Sequence, residues 1–314
     1  MGKKGPKRGS RAYWHRKRAD GQTPRIRAWP TFGKGLQGFA GYKVGMAHVL
    51  MTEYSESPLK GQEVAKAVTF VLTPPLYVYA VIAYQLTPYG WKIVGEVPAL
   101  NAPKELTRLR TVAKKTTQTV DALPKADAYR LLAFTQPFKT GIKKTPEVME
   151  IALGGTPAEA LEYAKSVLGK EIPIKDVYKE GESTDVVAVT KGHGWQGVVK
   201  RFGVALNTHK STGARRHGGA LGGETQAKVM YTVPRAGQMG YHRRTERNKR
   251  LLVITEDAKS YQPKSGFPHF GNLQGTFVMI EGSLPGPSKR LIRFRKPLQN
   301  QTPAKIELKQ VIFQ

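Results

Sequence analysis

Positive charge is distributed very unevenly along this chain, and the distribution limits what the chain can fold into. Between Glu53 and Asp185 there are 17 basic and 16 acidic residues, whereas the remainder has 34 basic and only 7 acidic residues. Segments with so large an excess of one charge repel themselves and bury too little apolar surface to fold alone. The sequence therefore predicts one electrically ordinary globular block and basic arms that become ordered on a polyanion.

The whole chain carries a formal net charge of +28 on 314 residues. A field of this sign attracts nucleic acid, anionic membranes or acidic proteins. The length allows two domains, or one domain with extensions. Because there is no cysteine, a disulfide framework, a zinc ribbon and a thiol nucleophile are excluded. The basic N-terminus is not followed by the apolar segment of a secretory signal.

The N-terminal tract between Lys3 and Lys34 has Asp20 as its only acid and shows neither helical nor strand periodicity. We predict that it is disordered in water without a ligand. Its aromatic residues have two possible roles: they stack on unpaired bases, or they attach the tract to the protein's own body. These residues are Tyr13, Trp14 and Trp29.

The segment STGARRHGGALGG, Ser211 to Gly223, has five glycines and one large apolar residue, Leu221. Ordering a backbone costs about 1–2 kcal/mol per residue, and this segment cannot offset that cost by burial. Glycine does, however, let backbone N–H groups approach a phosphate closely. We predict a narrow finger that enters folded RNA and is ordered by it; the alternative is a flexible surface loop with incidental charge.

Runs rich in β-branched and aromatic residues predict a mainly β protein. The apolar region Val68–Leu86 approaches the length of a membrane span, but Pro74 and Pro75 interrupt it and favour two buried strands. LIRFR, Leu291–Arg295, is predicted as an edge strand with a cationic face. The other predicted strands are Gly41–Glu53, Glu63–Leu72, Tyr77–Leu86, Trp91–Val97, Val148–Leu153, Asp185–Thr190, Arg250–Thr255 and Thr276–Gly282.

Two helices are predicted, both within the neutral block. Thr156–Glu159 has the pattern of a capping box with proline at the first helical position. Leu161, Ala164 and Leu168 then fall on one helical face. A second helix is predicted over Lys125–Phe134. The resulting plan is an all-β body interrupted by an α+β insertion.

The sequence offers little support for catalysis. Gly192–Gly197 has the letters of a dinucleotide-binding loop, but the sequence that follows is β-branched, broken by Gly203, and basic near Arg215 where an acid is needed. The histidines lack the spacing of a metal site. A DNA-compacting protein would need a major-groove helix or a minor-groove wedge, and an RNA-modifying enzyme a cofactor loop or an acid/base pair. RNA binding is favoured over both.

The stretch Asp185–Arg201, DVVAVTKGHGWQGVVKR, resembles the signature of the family of the third protein of the large ribosomal subunit. It has the acid, small and hydroxyl residues, the glycine–basic–glycine triplet, a further glycine and the arginine. Tyr178 stands where that family usually has Phe or Leu. The long insert and GYHRRTE are typical of the archaeal and eukaryotic branch. The resemblance extends over nearly the whole chain, including Phe39–His48, Ala67–Gly90 and Val233–Arg250.

The resemblance implies a mainly β fold: a translation-factor-like β-barrel body with an α+β insertion, a long rRNA-penetrating loop and an N-terminal extension. The implied segments are the extension at 1–36, the body at 37–75, 185–207 and 228–290, the insertion at 76–184, the loop tip at 208–227, and a basic C-terminal segment at 291–314.

The resemblance also implies function. The family is a structural, non-enzymatic constituent of the large subunit, located in cytoplasmic ribosomes. It binds large-subunit (23S-type) rRNA near its 3′ end, nucleates assembly and extends its loop toward the peptidyl transferase centre. No cofactor is expected beyond Mg²⁺ ions held by the rRNA, and neither membrane binding nor homo-oligomerisation is expected. The implied protein neighbours are protein fourteen and the archaeal zinc-ribbon protein twenty-four of the large subunit.

Glu224 stands at the loop tip, where eukaryotic relatives have a tryptophan, and a carboxylate cannot stack as an indole does.

The predicted rRNA-binding residues fall into three groups. The N-terminal group is Arg11, Trp14, Arg16, Lys17, Arg18, Arg25 and Arg27. The outgoing arm and tip have His193, Trp195, Lys200, Arg201, His209, Lys210, Arg215, Arg216, His217, Gly218 and Gly219. The return arm has Arg235, Gln238, His242, Arg243, Arg244 and Arg247.

Overall fold

The computed structural model describes residues 13, 15–54, 56–113, 115, 119–299, 303 and 305–313. Two of the predicted rRNA ligands, Arg11 and Trp14, lie outside these residues. The chain divides into two compact units. The smaller unit comprises Met1–Gly21 and Val189–Arg243, and the larger unit comprises Gln22–Ala188 and Arg244–Gln314.

Strands dominate the described residues, as the β-branched and aromatic runs predict. In chain order they are β1 (Gly35–Leu36), β2 (Gly38–Thr52), β3 (Glu63–Leu72), β4 (Leu76–Thr87), β5 (Gly90–Pro98), β6 (Ala128–Phe134), β7 (Val148–Gly154), β8 (Glu171–Ile172), β9 (Ser183–Val189), β10 (Gly192–Gln196), β11 (Gly237–Gly240), β12 (Arg243–Thr255), β13 (Phe277–Glu281), β14 (Leu291–Arg295) and β15 (Leu308–Ile312). The α-helices are α1 (Pro157–Val167) and α2 (Val198–Phe202). Short 3₁₀ helices lie at Lys104–Arg108, Val120–Ala122, Pro137–Thr140, Ile174–Asp176, Glu224–Gln226 and Lys259–Tyr261.

Six strands of the larger sheet close into a ring within the described residues. Their order is β14-β9-β12-β13-β3-β2, and β14 pairs again with β2, while β15 adds to β2 outside the ring. The mainly β class predicted from sequence is therefore confirmed, with a ring of strands as its body. Every run predicted as a strand from β-branched content falls on an observed strand, and the largest difference is at β12, which begins at Arg243 rather than Arg250.

A second sheet has the order β1-β7-β6-β4-β5, with β8 paired to β4. Apart from β1, its strands lie within 76–184, the segment that the resemblance implies as an insertion. Strands β3 and β4 flank Pro74 and Pro75 but belong to different sheets, so the long apolar region is two buried strands, as predicted. Helix α1 buries Ala160 and Ala164 in the same apolar cluster as β6 and β7. None of the helices in the described residues is long and apolar enough to span a membrane.

The capping box of α1 is confirmed. The Thr156 hydroxyl accepts a bond from the Glu159 amide at 3.4 Å, and the Glu159 carboxylate accepts one from the Thr156 amide at 3.1 Å. These two bonds satisfy amides that the first helical turn leaves without partners. The helix ends at Val167, and Gly169 adopts φ +76°, which glycine tolerates best.

The helix predicted over Lys125–Phe134 is wrong, because this region contains strand β6. The strand buries both of its faces: Leu131 lies in one apolar cluster and Leu132 in another. It also pairs with β4 on one side and β7 on the other. A strand with two buried faces reads as a continuous apolar run, which sequence periodicity cannot distinguish from a buried helix.

The edge-strand prediction for LIRFR is also wrong. Strand β14 is paired on both sides, with β2 and with β9, and all five of its residues are buried. Its cations do not face solvent. Arg293 donates to the carbonyls of Pro24 and Glu150, and Arg295 donates to the Ala28 carbonyl at 2.8 Å and pairs with Asp185. Hydrogen bonding and pairing are what make buried guanidinium groups tolerable.

These arginine contacts correct the expectation that the whole N-terminal tract is disordered. Pro24 and Ile26 are buried in the larger unit, and the carbonyls of Pro24 and Ala28 accept bonds from the arginines of β14. Trp29 packs on the main apolar cluster, with the Arg293 guanidinium 5.9 Å from its ring centroid. Of the two roles left open for this tryptophan, the structure supports attachment to the body.

Candidate nucleic-acid interface

The smaller unit is built on a short hairpin from the glycine-rich region. Strand β10 pairs with β11, placing Trp195 opposite Gln238, with a bulge between Gly192 and Trp195. The Trp195 side chain is 76% exposed, although tryptophan usually buries most of its surface. The hairpin therefore presents an indole to solvent at the base of the predicted finger.

Gly240 is a position where the hairpin requires glycine. Its φ is +73°, and a Cβ built there would lie 2.1 Å from the carbonyl oxygen of Lys191. Any other residue would be strained and would also push the two strands apart. The abundance of glycine in this region thus has a structural reason at the stem, in addition to its predicted use at the RNA surface.

Arg201 connects the outgoing and return arms of the smaller unit. It lies on α2, where Gly203 at φ +66° ends the helix. Its Nε donates to the Gln238 carbonyl at 3.1 Å, and its Nη1 donates to the Arg235 carbonyl at 2.9 Å. Burial lowers the pKa of Arg201, and nearby Arg16 lowers it further. Arg201 is therefore already engaged within the protein.

We use the name finger from here on for residues 203–236, all of which the structure describes. None of them is buried. The turn between Asn207 and Arg215 is closed by the Asn207 amide donating to the Arg215 carbonyl at 3.1 Å, with the Arg215 Nε returning to the Asn207 carbonyl at 3.2 Å. His209 Nδ1 lies 3.3 Å from Arg215 Nη1, and His217 Nε2 lies 3.0 Å from the side-chain Nδ2 of Asn207. Polar contacts alone shape this turn.

The predicted ligands on the finger lie mostly at its surface. Arg215 is half-buried by its contacts with Asn207, and Glu224 lies exposed in the 3₁₀ turn Glu224–Gln226. Exposed positions are His209, Lys210, Arg216, His217, Gly218, Gly219 and Arg235 on the finger, and His193, Trp195 and Lys200 on the outgoing side of the stem.

The described N-terminal residues of the smaller unit contact the return arm. Arg16 donates to the carbonyl of Tyr231, and the Tyr13 and Tyr231 rings meet edge-to-face at 6.2 Å. The Ala19 amide donates to the Tyr241 carbonyl at 2.8 Å. The structure therefore brings the N-terminal and return-arm groups together.

His242, predicted as an rRNA ligand, is buried. Its Nδ1 lies 2.9 Å from the Lys17 carbonyl, and its ring centroid is 5.7 Å from that of His15. Lys17 itself is exposed. In this arrangement His242 holds the backbone of the N-terminal segment and leaves the adjacent lysine side chain outside.

A cavity of about 750 Å³ lies within the smaller unit. Two of its lining residues, Gly192 and Gly194, leave backbone uncovered by side chains, and Arg18 adds a guanidinium. A surface of this kind suits a phosphate or ribose, because N–H groups and a guanidinium can approach closely. The lining residues are Arg18, Ala19, Asp20, Gly192, Gly194, Gln238 and Tyr241.

The remaining predicted ligands lie elsewhere. Arg25 and Arg27 are exposed on the larger unit. Arg243, Arg244 and Arg247 belong to β12, where Arg247 is exposed and the other two are half-buried. Strand β12 thus contains three of the six residues of the predicted return-arm group and lies within 228–290, which the resemblance assigns to the body.

Sequence reasoning missed Tyr231. It is exposed, lies on the return arm beside Arg16, and its hydroxyl is 3.3 Å from that of Tyr13. The hydrogen bond with Tyr13 raises the pKa of its hydroxyl above the ordinary value. An aromatic residue within an acid-poor, glycine-rich arm was the signal that could have identified it.

The described residues contain no group of three His, Asp or Glu side chains that could hold a metal ion. What they do contain is a set of exposed cations, an exposed indole and glycine-lined backbone. This chemistry binds phosphate and stacks bases.

Comparisons with known proteins agree with this description. Residues 2–312 match the family model described as Ribosomal protein L3. The large ribosomal subunit protein uL3 of Pyrobaculum aerophilum is 47% identical, covering 94% of this chain and 92% of the relative. The proteins of the same name from Archaeoglobus fulgidus and Methanopyrus kandleri are each 46% identical, covering 94% and 92% of this chain and 92% and 84% of the relatives.

Proposed function

The chain belongs to the ribosomal protein L3 family, and from that premise we propose that its smaller unit binds large-subunit rRNA. As a member of this family it is a structural constituent of the large ribosomal subunit, located in cytoplasmic ribosomes, and not an enzyme. Its partners are accordingly rRNA and other ribosomal proteins. Which of its own residues bind the rRNA is the subject of the proposal.

One observation carries the proposal: a finger of 34 residues, 203–236, in which no residue is buried. It has five basic residues and a single acid, Glu224. Such a segment has no core of its own to order it. Phosphates supply the missing free energy, because each neutralised phosphate releases condensed counterions.

The stem sets the direction of the finger. The β10–β11 pairing and the hydrogen bonds from Arg201 to the return arm fix both arms at their base. The cations beyond it therefore start from a fixed base, so that the RNA has only the finger itself to order and the entropy cost of binding is lower. The cavity beside Arg18 takes a phosphate or ribose of the same RNA.

The finer parts of the proposal follow the family resemblance. The protein binds 23S-type rRNA near its 3′ end early in assembly, and the finger extends toward the peptidyl transferase centre with Glu224 near its tip. Mg²⁺ at this interface is held by the rRNA and not by the protein. The protein neighbours are protein fourteen and the archaeal zinc-ribbon protein twenty-four, and the chain does not associate with itself.

The test measures rRNA affinity by filter binding over a series of salt concentrations. For a protein that neutralises about 6–10 phosphates, affinity falls by about 10³–10⁵ between about 50 and 200 mM salt. Changing Lys210 and Arg216 together to Gln lowers the slope of log affinity against log salt by about 0.9 for each phosphate that is no longer neutralised. The matched control, Lys60→Gln on the larger unit, leaves that slope unchanged. A wild-type affinity that barely changes with salt would contradict the proposal.

A further inference from the structure

A second cavity is lined entirely by residues of the larger unit. Its volume is about 860 Å³, and it lies between the N-terminal residues 23–29 and the sheet of the insertion. A neighbouring cavity of about 390 Å³ shares part of its lining. The residues common to both are Arg27, Trp29, Trp91 and Arg130.

The N-terminal wall alternates between inward and outward residues. Pro24 and Ile26 are buried, whereas Arg25 and Arg27 are exposed. This period of two is that of an extended chain with one face on the protein. The backbone is fixed because Arg293 donates to the Pro24 carbonyl at 3.0 Å. Two guanidinium groups are therefore presented on the same side of a fixed backbone.

The opposite wall is held by an internal network. The Arg130 guanidinium lies 4.3 Å from the Tyr84 ring centroid and donates to Glu150 at 3.1 Å. The Tyr84 hydroxyl donates to the same carboxylate at 2.8 Å. Glu150 is thereby engaged by its own neighbours. The cavity keeps an excess of positive charge and a wall that does not need to reorganise on binding.

Trp91 projects from β5, the edge strand of this sheet. Its side chain is 49% exposed and lines both cavities. An indole left half in solvent and bordered by guanidinium groups has the composition of a single-stranded RNA site, where bases stack on aromatic rings and phosphates meet arginines.

Arg293 supplies a further observation. Its guanidinium is buried and lines the larger cavity, and its Nε has no hydrogen-bond partner among the described residues. A buried donor without a partner is costly, so a ligand acceptor that reached it after a shift of the neighbouring side chains would be stabilising. Phosphate, ribose and base edges all carry such acceptors.

We propose that this cavity binds an unstacked nucleotide of the rRNA, with the base on Trp91 and the phosphate between Arg25 and Arg27. The inference rests on the proposed function, because it presumes that rRNA is the partner. It adds an rRNA contact from the segment 76–184, which lies within the nearly neutral block Glu53–Asp185. Four arginines against one engaged carboxylate favour a polyanion over a protein segment as the occupant.

The first experiment compares rRNA affinities of full-length variants by filter binding. Trp91→Ala weakens binding about tenfold without changing the salt slope, because stacking involves no counterion release. Changing Arg25 and Arg27 together to Gln lowers that slope. Trp91→Phe retains most of the affinity. Tyr89→Ala is the matched control, since Tyr89 is fully exposed on the same hairpin and does not line the cavity. Unfolding midpoints equal to wild type establish that each variant is folded.

The second experiment places a photo-crosslinking amino acid at position 91 in assembled large subunits. Crosslinking to rRNA supports the proposal, and crosslinking to another ribosomal protein overturns it. Wild-type affinity in the Trp91→Ala variant would also overturn it. If instead wild type binds rRNA with a shallow salt dependence, the proposed function itself fails, and the two failures are thereby distinguished.

Discussion

Arg295 and Asp185 lie opposite each other on β14 and β9 and form a buried ion pair. The Asp185 carboxylate also accepts a bond from the Asn248 amide at 3.0 Å, and the Arg295 guanidinium donates to the Ala28 carbonyl at 2.8 Å. This ion pair thus connects four parts of the chain: β14, β9, β12 and the N-terminal segment. Asp185 opens the family-like signature, so this signature has a structural role at its first residue.

We expect Asp185→Asn to be strongly destabilising. Removing one partner of a buried ion pair leaves an uncompensated charge and typically costs about 3–5 kcal/mol. The free energy of unfolding from urea titration measures the effect. The control is Glu63→Gln, which removes the exposed pair with Lys309 and costs far less than the buried pair. In a double-mutant cycle, Arg295→Met with Asp185→Asn should lose less than the sum of the single losses; a sum that is simply additive would contradict the pairing.

The capping box gives a smaller and local prediction. Thr156→Ala removes the hydroxyl that accepts from the Glu159 amide, and we expect a loss of about 1 kcal/mol in the free energy of unfolding. Thr156→Ser keeps the acceptor and retains most of the stability. Urea unfolding followed by circular dichroism distinguishes the two variants. Equal stabilities of the Ala and Ser variants would show that the box does not contribute.

Glu159 gives a pH dependence with a defined sign. Its pKa is lowered from 4.5 by the hydrogen bond from Lys34 and by that from the Thr156 amide. Because the unfolded state binds this proton more readily, the contribution is present above pH 4.5 and is lost as pH falls through the lowered value. The exposed position makes the effect small. We expect Glu159→Gln to flatten the acid limb of a plot of unfolding free energy against pH, and an unchanged limb would contradict the assignment.

How far the sequence predicts this structure depends on the kind of signal involved. Helix α1 is predictable because its cap is local, and β3 because its run is strongly β-branched. Strand β6 is not, because burial of both faces removes its periodicity. Strand β14 is predictable as a strand, but its central position is not, because its arginines bond to residues more than a hundred positions away in sequence. The cations of the site are predictable from composition. The bonds from Arg201 to the return arm and the cavity lined by Trp91 are not, because they depend on tertiary contacts.

Gly240 tests whether the stem controls the finger. Gly240→Ala places a Cβ 2.1 Å from the Lys191 carbonyl at a φ of +73°. We expect the β10–β11 pairing to be lost and the affinity for rRNA to fall, while the unfolding of the larger unit is unchanged. Gly213→Ala is the matched control, because its φ of +81° is equally unfavourable but its Cβ meets nothing within 4 Å. Hydrogen exchange of the Tyr241 amide, which donates to the Lys191 carbonyl at 3.0 Å, reports the pairing directly. Equal exchange rates in the two variants would contradict this role.

Deleting residues 208–226 tests separately how much the finger contributes to the stability of the protein and to its affinity for rRNA. None of these residues is buried, so we expect the unfolding midpoint of the larger unit to remain within the error of wild type. The deletion removes Lys210, Arg215 and Arg216, and we expect the salt slope of rRNA binding to fall by about 0.9 for each phosphate that these cations neutralise. A calorimetric scan and a salt series on the same preparation measure both quantities. A deletion that abolished cooperative unfolding would mean that the finger contributes to the fold, because a segment held only by RNA cannot stabilise the protein in its absence.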